Sequence, residues 1–120
     1  MNIDYNYYFW GPLLFKTILQ KQDIVAIKKL CNKKKSNLYV KGLAGVIDHE
    51  YTVDHIKLSK IIDKYLVAFQ QASARYYNAD CPRLIINNSW VNYMRKGDSN
   101  PPHIHTTCDL SSVMYLDVPD

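Results

Sequence analysis

A chain of 120 residues allows one domain with a core of modest size, and 48% apolar content argues against disorder. The formal charge of +4 is mild, and no apolar run approaches the roughly 20 residues needed to span a bilayer, so composition speaks against a membrane-spanning protein and a strongly basic nucleic-acid binder. Cys31, Cys81 and Cys108 are odd in number and widely spaced, which gives no disulfide framework and points to a reducing compartment. Met1 to Phe15 is aromatic and lacks the basic start of a secretory signal, so the expectation is a soluble, cytoplasmic protein.

Asn2 to Phe9 is rich in Tyr and Phe and is expected to be extended, with Gly11-Pro12 ending it and Leu13 to Leu19 forming a second edge segment. The tyrosines and Trp10 lack the interleaved Arg and Lys of a base-stacking surface, so they are read as packing residues. Gln22 or Asp23 is placed to cap a helix running to about Lys34, with Ile24, Ile27 and Cys31 at helical spacing. The cluster Lys28, Lys29, Lys33, Lys34 and Lys35 is read as a solvated helix end that also opposes the helix dipole.

Leu38 to Tyr51 is irregular. Asp48, His49 and Glu50 are ligand-type residues, but adjacent side chains diverge, which weighs against one ion being held there. Thr52 or Asp54 starts the longest expected helix, to about Tyr77, with Ile56, Leu58, Ile61, Ile62, Tyr65, Leu66 and Phe69 as a broad apolar face. Such a helix serves to cover a sheet. Asp80-Cys81-Pro82 breaks the pattern. Arg83 to Arg95 then reads as strand with a bend at Asn87-Asn88-Ser89, placing Trp90, Asn92 and Met94 on one face. Ser112 to Val118 is a second alternating strand.

Between these strands lies a loop with Gly97, Asn100, Pro101 and Pro102 that delivers His103 and His105. Imidazole suits Fe, Zn, Cu or Ni, and a turn or bulge at Ile104 is expected to bring both rings to one side. By itself a His-x-His pair is a weak signal for metal.

The surrounding residues sharpen it. Trp90-x-Asn92, Arg95-Lys96-Gly97-Asp98-x-Asn100-Pro101-Pro102-His103-x-His105 and Leu110-Ser111-x-Val113-x-Tyr115-Leu116 resemble the 2-oxoglutarate- and Fe(II)-dependent dioxygenases of the prolyl-4-hydroxylase-like branch. The resemblance is nearest to a group of short oxygenases found in phage and marine bacterial genomes, and Leu43-Ala44-Gly45 also looks like part of that group's pattern.

The resemblance implies an α+β chain: an incomplete double-stranded β-helix, or jelly roll, with two supporting N-terminal helices. Residues 1–120 would form one domain, with helical support over 1–80 and the first jelly-roll strands with the His-x-His motif over 83–119. It implies Fe(II) held by His103 and His105, with 2-oxoglutarate as co-substrate contacted by Tyr115 and Asn92. His105 stands where many relatives have Asp, and Asp109 is a substitute at an offset the motif does not share.

The family's distal His and its Arg or Lys for the co-substrate have no counterpart: no His follows His105 and no Lys or Arg follows Lys96. The expectation is therefore an N-terminal fragment of a longer oxygenase, inactive alone, in host cytoplasm if phage-encoded. Its open strand edges would favour self-association. The second substrate would be a peptide, a nucleobase or a small molecule. Two other readings compete: a non-catalytic basic binding protein using Lys28 to Lys35 (or an inactive remnant), and a cupin-like Zn or Mn site at His103 and His105.

Overall fold

In the computed structural model, residues 2–8, 11–32 and 49–119 are described. The N-terminal aromatics form a hairpin of β1 (Tyr5–Tyr8) and β2 (Leu14–Thr17), antiparallel with Tyr7 opposite Phe15 and Tyr5 opposite Thr17. Strand alternation sends Tyr5, Tyr7 and Phe15 to one side, and Asn6 and Lys16 to water. The inward rings meet the long helix: Phe15 stands edge-on to Phe69 at 5.6 Å, and Tyr7 edge-on to Tyr76 at 6.1 Å. Gly11 takes φ 113°, a left-handed turn conformation that a side chain would resist. The Tyr76 hydroxyl donates to its carbonyl.

Helix α1 (Lys21–Leu30) starts after Gln20, and no side chain caps it. Asp23 is not the cap expected from its position, because its carboxylate is already engaged by the neighbouring helix: Lys64 lies 2.7 Å away and the Tyr65 hydroxyl donates at 2.6 Å. The helix ends at Leu30, where the Cys31 N–H returns to the Ile27 carbonyl. Lys33 to Lys35 and Leu43-Ala44-Gly45 lie outside the described residues.

Helix α2 (His55–Tyr77) begins where the Asp54 side chain accepts from the Lys57 N–H at 3.0 Å, and ends at Asn78 in the left-handed conformation. Leu58, Ile62, Tyr65, Ala68 and Ala72 repeat at three and four residues and are all buried. Ile56, expected on that face, is 62% exposed, since two residues at 100° each turn it away from Leu58.

Between the helices, β3 (Glu50–Thr52) pairs antiparallel with β4 (Trp90–Asn92), Glu50 opposite Asn92 and Thr52 opposite Trp90. The pairing continues as Val53 N–H to Ser89 O and Tyr93 N–H to His49 O, both 3.0 Å. The core gathers Ile27, Cys31, Val53, Leu58, Ile62 and Tyr65, with Val91, Met114 and Leu116 packed against it. Burial pushes the Cys31 thiol up from its ordinary pKa.

The described residues thus hold two helices and two separate two-stranded antiparallel sheets, with no closed barrel. The long strand expected over Arg83 to Arg95 narrows to Trp90–Asn92. Ser112 to Val118 keeps its alternation, with Met114 and Leu116 inward and Val113 and Tyr115 outward, yet joins no ladder among the described residues. Alternation needs only one apolar face to bury; a strand also needs a partner for its backbone. No described helix is long and apolar enough to cross a membrane.

Candidate metal centre

The chain leaves β4 through a tight turn that aims the histidine loop. The Arg95 N–H donates to the Asp98 carboxylate at 2.7 Å, and the Asp98 N–H returns to the Arg95 carbonyl at 3.0 Å. Gly97 supplies the positive φ of 98° between them. Pro101 and Pro102 then fix the approach to His103.

His103 and His105 come together. Their rings lie 4.8 Å apart at 67°, and the two Nε2 atoms are separated by 3.2 Å. His103 Nδ1 lies 2.8 Å from the Pro101 carbonyl. A carbonyl only accepts, so Nδ1 carries the proton and neutral His103 presents a lone pair at Nε2. This is the outer bond that fixes the tautomer of metal-binding histidines. His105 leans on Trp90 of β4, with centroids 6.0 Å apart.

The bulge expected at Ile104 is not required. Residues i and i+2 of an extended segment share a face, and Ile104 has no positive φ. Both histidines and Ile104 are exposed.

The span suits two adjacent positions around one ion. With metal–nitrogen bonds of about 2.0–2.1 Å, two imidazoles at right angles or at the tetrahedral angle have nitrogens roughly 2.8–3.4 Å apart. Without an ion, the same spacing accommodates an N–H of His105 donating to His103. The pair therefore fits two donor positions of Fe, Zn or a similar cation. Among the described residues no group of three or more His, Cys, Asp and Glu is placed to hold a metal.

The other candidates are placed as follows. Tyr115 is 80% exposed and makes no ring contact with either imidazole among the described residues. Asn92 lies opposite Glu50, and its amide hydrogen-bonds the Glu50 carboxyl group. Asp109 is exposed and stands outside any three-donor group. Asp48 lies outside the described residues, and Lys28 is occupied by an exposed ion pair to Asp117 at 3.0 Å.

Sequence reasoning passed over Glu50. It was grouped with Asp48 and His49 and set aside because neighbours diverge. That divergence sends Glu50 inward, to 4% exposure, while the neighbouring His49 stays half-buried. Its pKa is pushed up by burial, partly opposed by the Asn92 hydrogen bond. Glu50 Oε2 and Asn92 Oδ1 are both buried without a hydrogen-bond partner among the described residues. A signal was present: Glu50 is the chain's single glutamate, set in a short β-type run.

The chain matches no family model, no curated protein and no solved structure.

Proposed function

We propose that this chain carries the first metal-binding segment of a 2-oxoglutarate- and Fe(II)-dependent oxygenase that hydroxylates a C–H bond. The observation that supports this reading best is the His103–His105 pair, with Nε2 atoms 3.2 Å apart and the His103 tautomer set by the Pro101 carbonyl. The motif around the pair, from Trp90 to Leu116, supports it independently through its resemblance to that family.

Bound there, Fe(II) with 2-oxoglutarate would supply the oxidising equivalents for hydroxylation of a second substrate, a peptide, nucleobase or small molecule. In this reading His103 and His105 give two neutral nitrogen donors, Pro101 holds the proton on Nδ1, and Trp90 braces the outer imidazole. Tyr115 keeps an exposed hydroxyl for the co-substrate carboxylate. Asn92 has part of its amide engaged with Glu50. A third protein donor and a cation for the 2-oxoglutarate carboxylate are required in addition to these residues.

The test is anaerobic loading with Fe(II) followed by 2-oxoglutarate, on a protein that supplies the third donor and the cation together with this chain. The expected result is a visible charge-transfer band and, on admitting oxygen, succinate release, both lost in His103→Ala. Wild-type protein that binds iron yet gives neither band nor succinate overturns the oxygenase reading. Metal content dominated by Zn or Mn after anaerobic purification favours the cupin-like alternative.

A further inference from the structure

The imidazole pair is half of a coordination sphere. The Nε2 atoms of His103 and His105 converge to 3.2 Å, and with metal–nitrogen bonds of about 2.0–2.1 Å that separation gives an angle of roughly 100–105° at an ion, close to tetrahedral. Both residues are exposed, and among the described residues no third His, Cys, Asp or Glu joins them to make a metal-holding group. Zinc-type ions take four donors, so two positions on the outward side of the pair are open to donors from outside this chain.

The charge of this segment favours a cation. The chain as a whole is +4, yet beyond Lys96 it carries Asp98, Asp109, Asp117 and Asp120 and no Lys or Arg. Asp98 is engaged by the Arg95 N–H and Asp117 by Lys28, while Asp109 is exposed. Neutral imidazoles leave a divalent ion its full charge, so acidic segments from two chains offset it. The same like charges keep two copies apart at this face when no ion is present.

We propose that His103 and His105 hold a Zn(II)-type ion between two copies of this chain, each copy giving two nitrogens to one tetrahedral four-imidazole site on a two-fold axis. This rests on reading the pair as metal-binding and adds the source of the missing donors, a second copy. A two-fold axis through the ion asks for no new surface: the same two residues face themselves. Four nitrogens leave no position for a co-substrate, so the bridged form and an oxygenase site built on this pair exclude one another.

Zn(II) sulfate is the probe, titrated into an excess of the full chain under reducing conditions, with calorimetry for stoichiometry and sedimentation velocity for mass. The expected result is one ion per two chains and a doubling of mass that EDTA reverses. Both are lost in His103→Ala and in His105→Ala, and kept in His55→Ala and Cys108→Ser. One ion per chain with unchanged mass overturns the bridge and leaves the pair standing. Loss of the doubling in Cys108→Ser assigns the bridge to a thiolate and overturns the four-imidazole site, as does a doubled mass that persists in EDTA. No binding by wild type, or unchanged binding in His103→Ala, overturns the reading of the pair and this inference with it.

A second measurement keeps both histidines in place. His105 leans on Trp90 with centroids 6.0 Å apart, and the chain has one other tryptophan, Trp10. In Trp10→Phe the remaining indole fluorescence therefore reports on the pair. Co(II) is expected to quench it with an end point at one ion per two chains, together with the strong visible absorption of tetrahedral cobalt. An end point at one ion per chain, with the weak absorption of a hydrated six-coordinate ion, overturns the bridge.

Discussion

Two carboxylates are buried among the described residues, one on a helix and one on a strand, and the chain treats them differently. Asp23, on α1, is 8% exposed; Glu50, on β3, is 4% exposed. Asp23 is fully answered: Lys64 at 2.7 Å, the Tyr65 hydroxyl at 2.6 Å, and a further bond from the Gln20 N–H to that hydroxyl at 2.8 Å. Glu50 has one amide and an unpaired oxygen. A carboxylate with charge and hydrogen bonds supplied holds two helices together. One left short of a donor carries an unmet hydrogen-bond demand that costs stability.

The largest effect expected from breaking this comparison is at Asp23. Asp23→Ala removes the ion pair between α1 and α2, leaves the Tyr65 hydroxyl without its acceptor and leaves Lys64 with Gln20 Oε1 alone. The expected loss is roughly 2–3 kcal/mol, below the range for a fully buried pair because Lys64 keeps partial access to water. Urea unfolding measures it. The pH dependence carries a sign. The Lys64 contact, then the Tyr65 hydrogen bond, holds the Asp23 pKa below its ordinary value. The stability it contributes is present above the unfolded carboxylate pKa and is lost as pH falls through the lower folded value. Asp23→Asn flattens that acid limb.

Tyr65→Phe is next. It deletes the hydroxyl that joins Asp23 to the Gln20 N–H at the start of α1 while keeping the ring in the core. The expected cost is about 1–2 kcal/mol. In a double-mutant cycle with Asp23→Ala the two losses should fall short of additive, since they share one bond.

The contrast between the carboxylates also marks what the sequence made legible. Helix α2 could be read because its signals are local: a capping Asp54, apolar residues at three and four, and no Pro or Gly within. The aromatic hairpin was readable for the same reason. Asp23 and Glu50 were not, since their roles are set by Tyr65 and Asn92, each about forty residues away in the chain. Asp23 looked like a cap because a cap is the local use of Asp near a helix start. The strands around the histidine loop were overextended because alternation reveals a buried face and says nothing of a pairing partner. The histidine pair itself was visible as a motif, but the bulge expected at Ile104 rested on placing i and i+2 on opposite faces, whereas in an extended segment they share one.

Glu50→Gln should act on stability in the opposite sense to the Asp23 variants. Burial raises the Glu50 pKa, so the folded state holds its proton more tightly than the unfolded one. Stability then falls as pH rises from the unfolded carboxylate pKa through the folded value. A glutamine of the same shape removes that penalty and supplies an N–H toward Asn92 Oδ1. The metal-free variant is expected to be more stable at neutral pH by about 0.5–1 kcal/mol. Thermal melts at pH 5 and pH 8, between which the variant's advantage is expected to grow, check this. A Glu50→Gln protein that is less stable at both would make Glu50 a structural residue like Asp23.

The smallest effect on folding should come from His103→Ala, and its smallness is the point. His103 is exposed, its ring nitrogens meet His105 and the Pro101 carbonyl among the described residues, and it is not part of the core cluster. Removing an exposed side chain of this kind changes stability by no more than about 0.5 kcal/mol. Two prolines and a turn closed by Asp98 nevertheless lead into that ring, so the metal-binding proposal can be tested at His103 without disturbing the fold. With Co(II) present the difference should reverse. Wild type gains stability with rising cobalt because only the folded state gathers the two imidazoles, while His103→Ala gains none. Melts of both proteins across a cobalt series therefore separate a loop ornament from a binding site: equal curves for the two proteins leave His103 without a function, and diverging curves give it one.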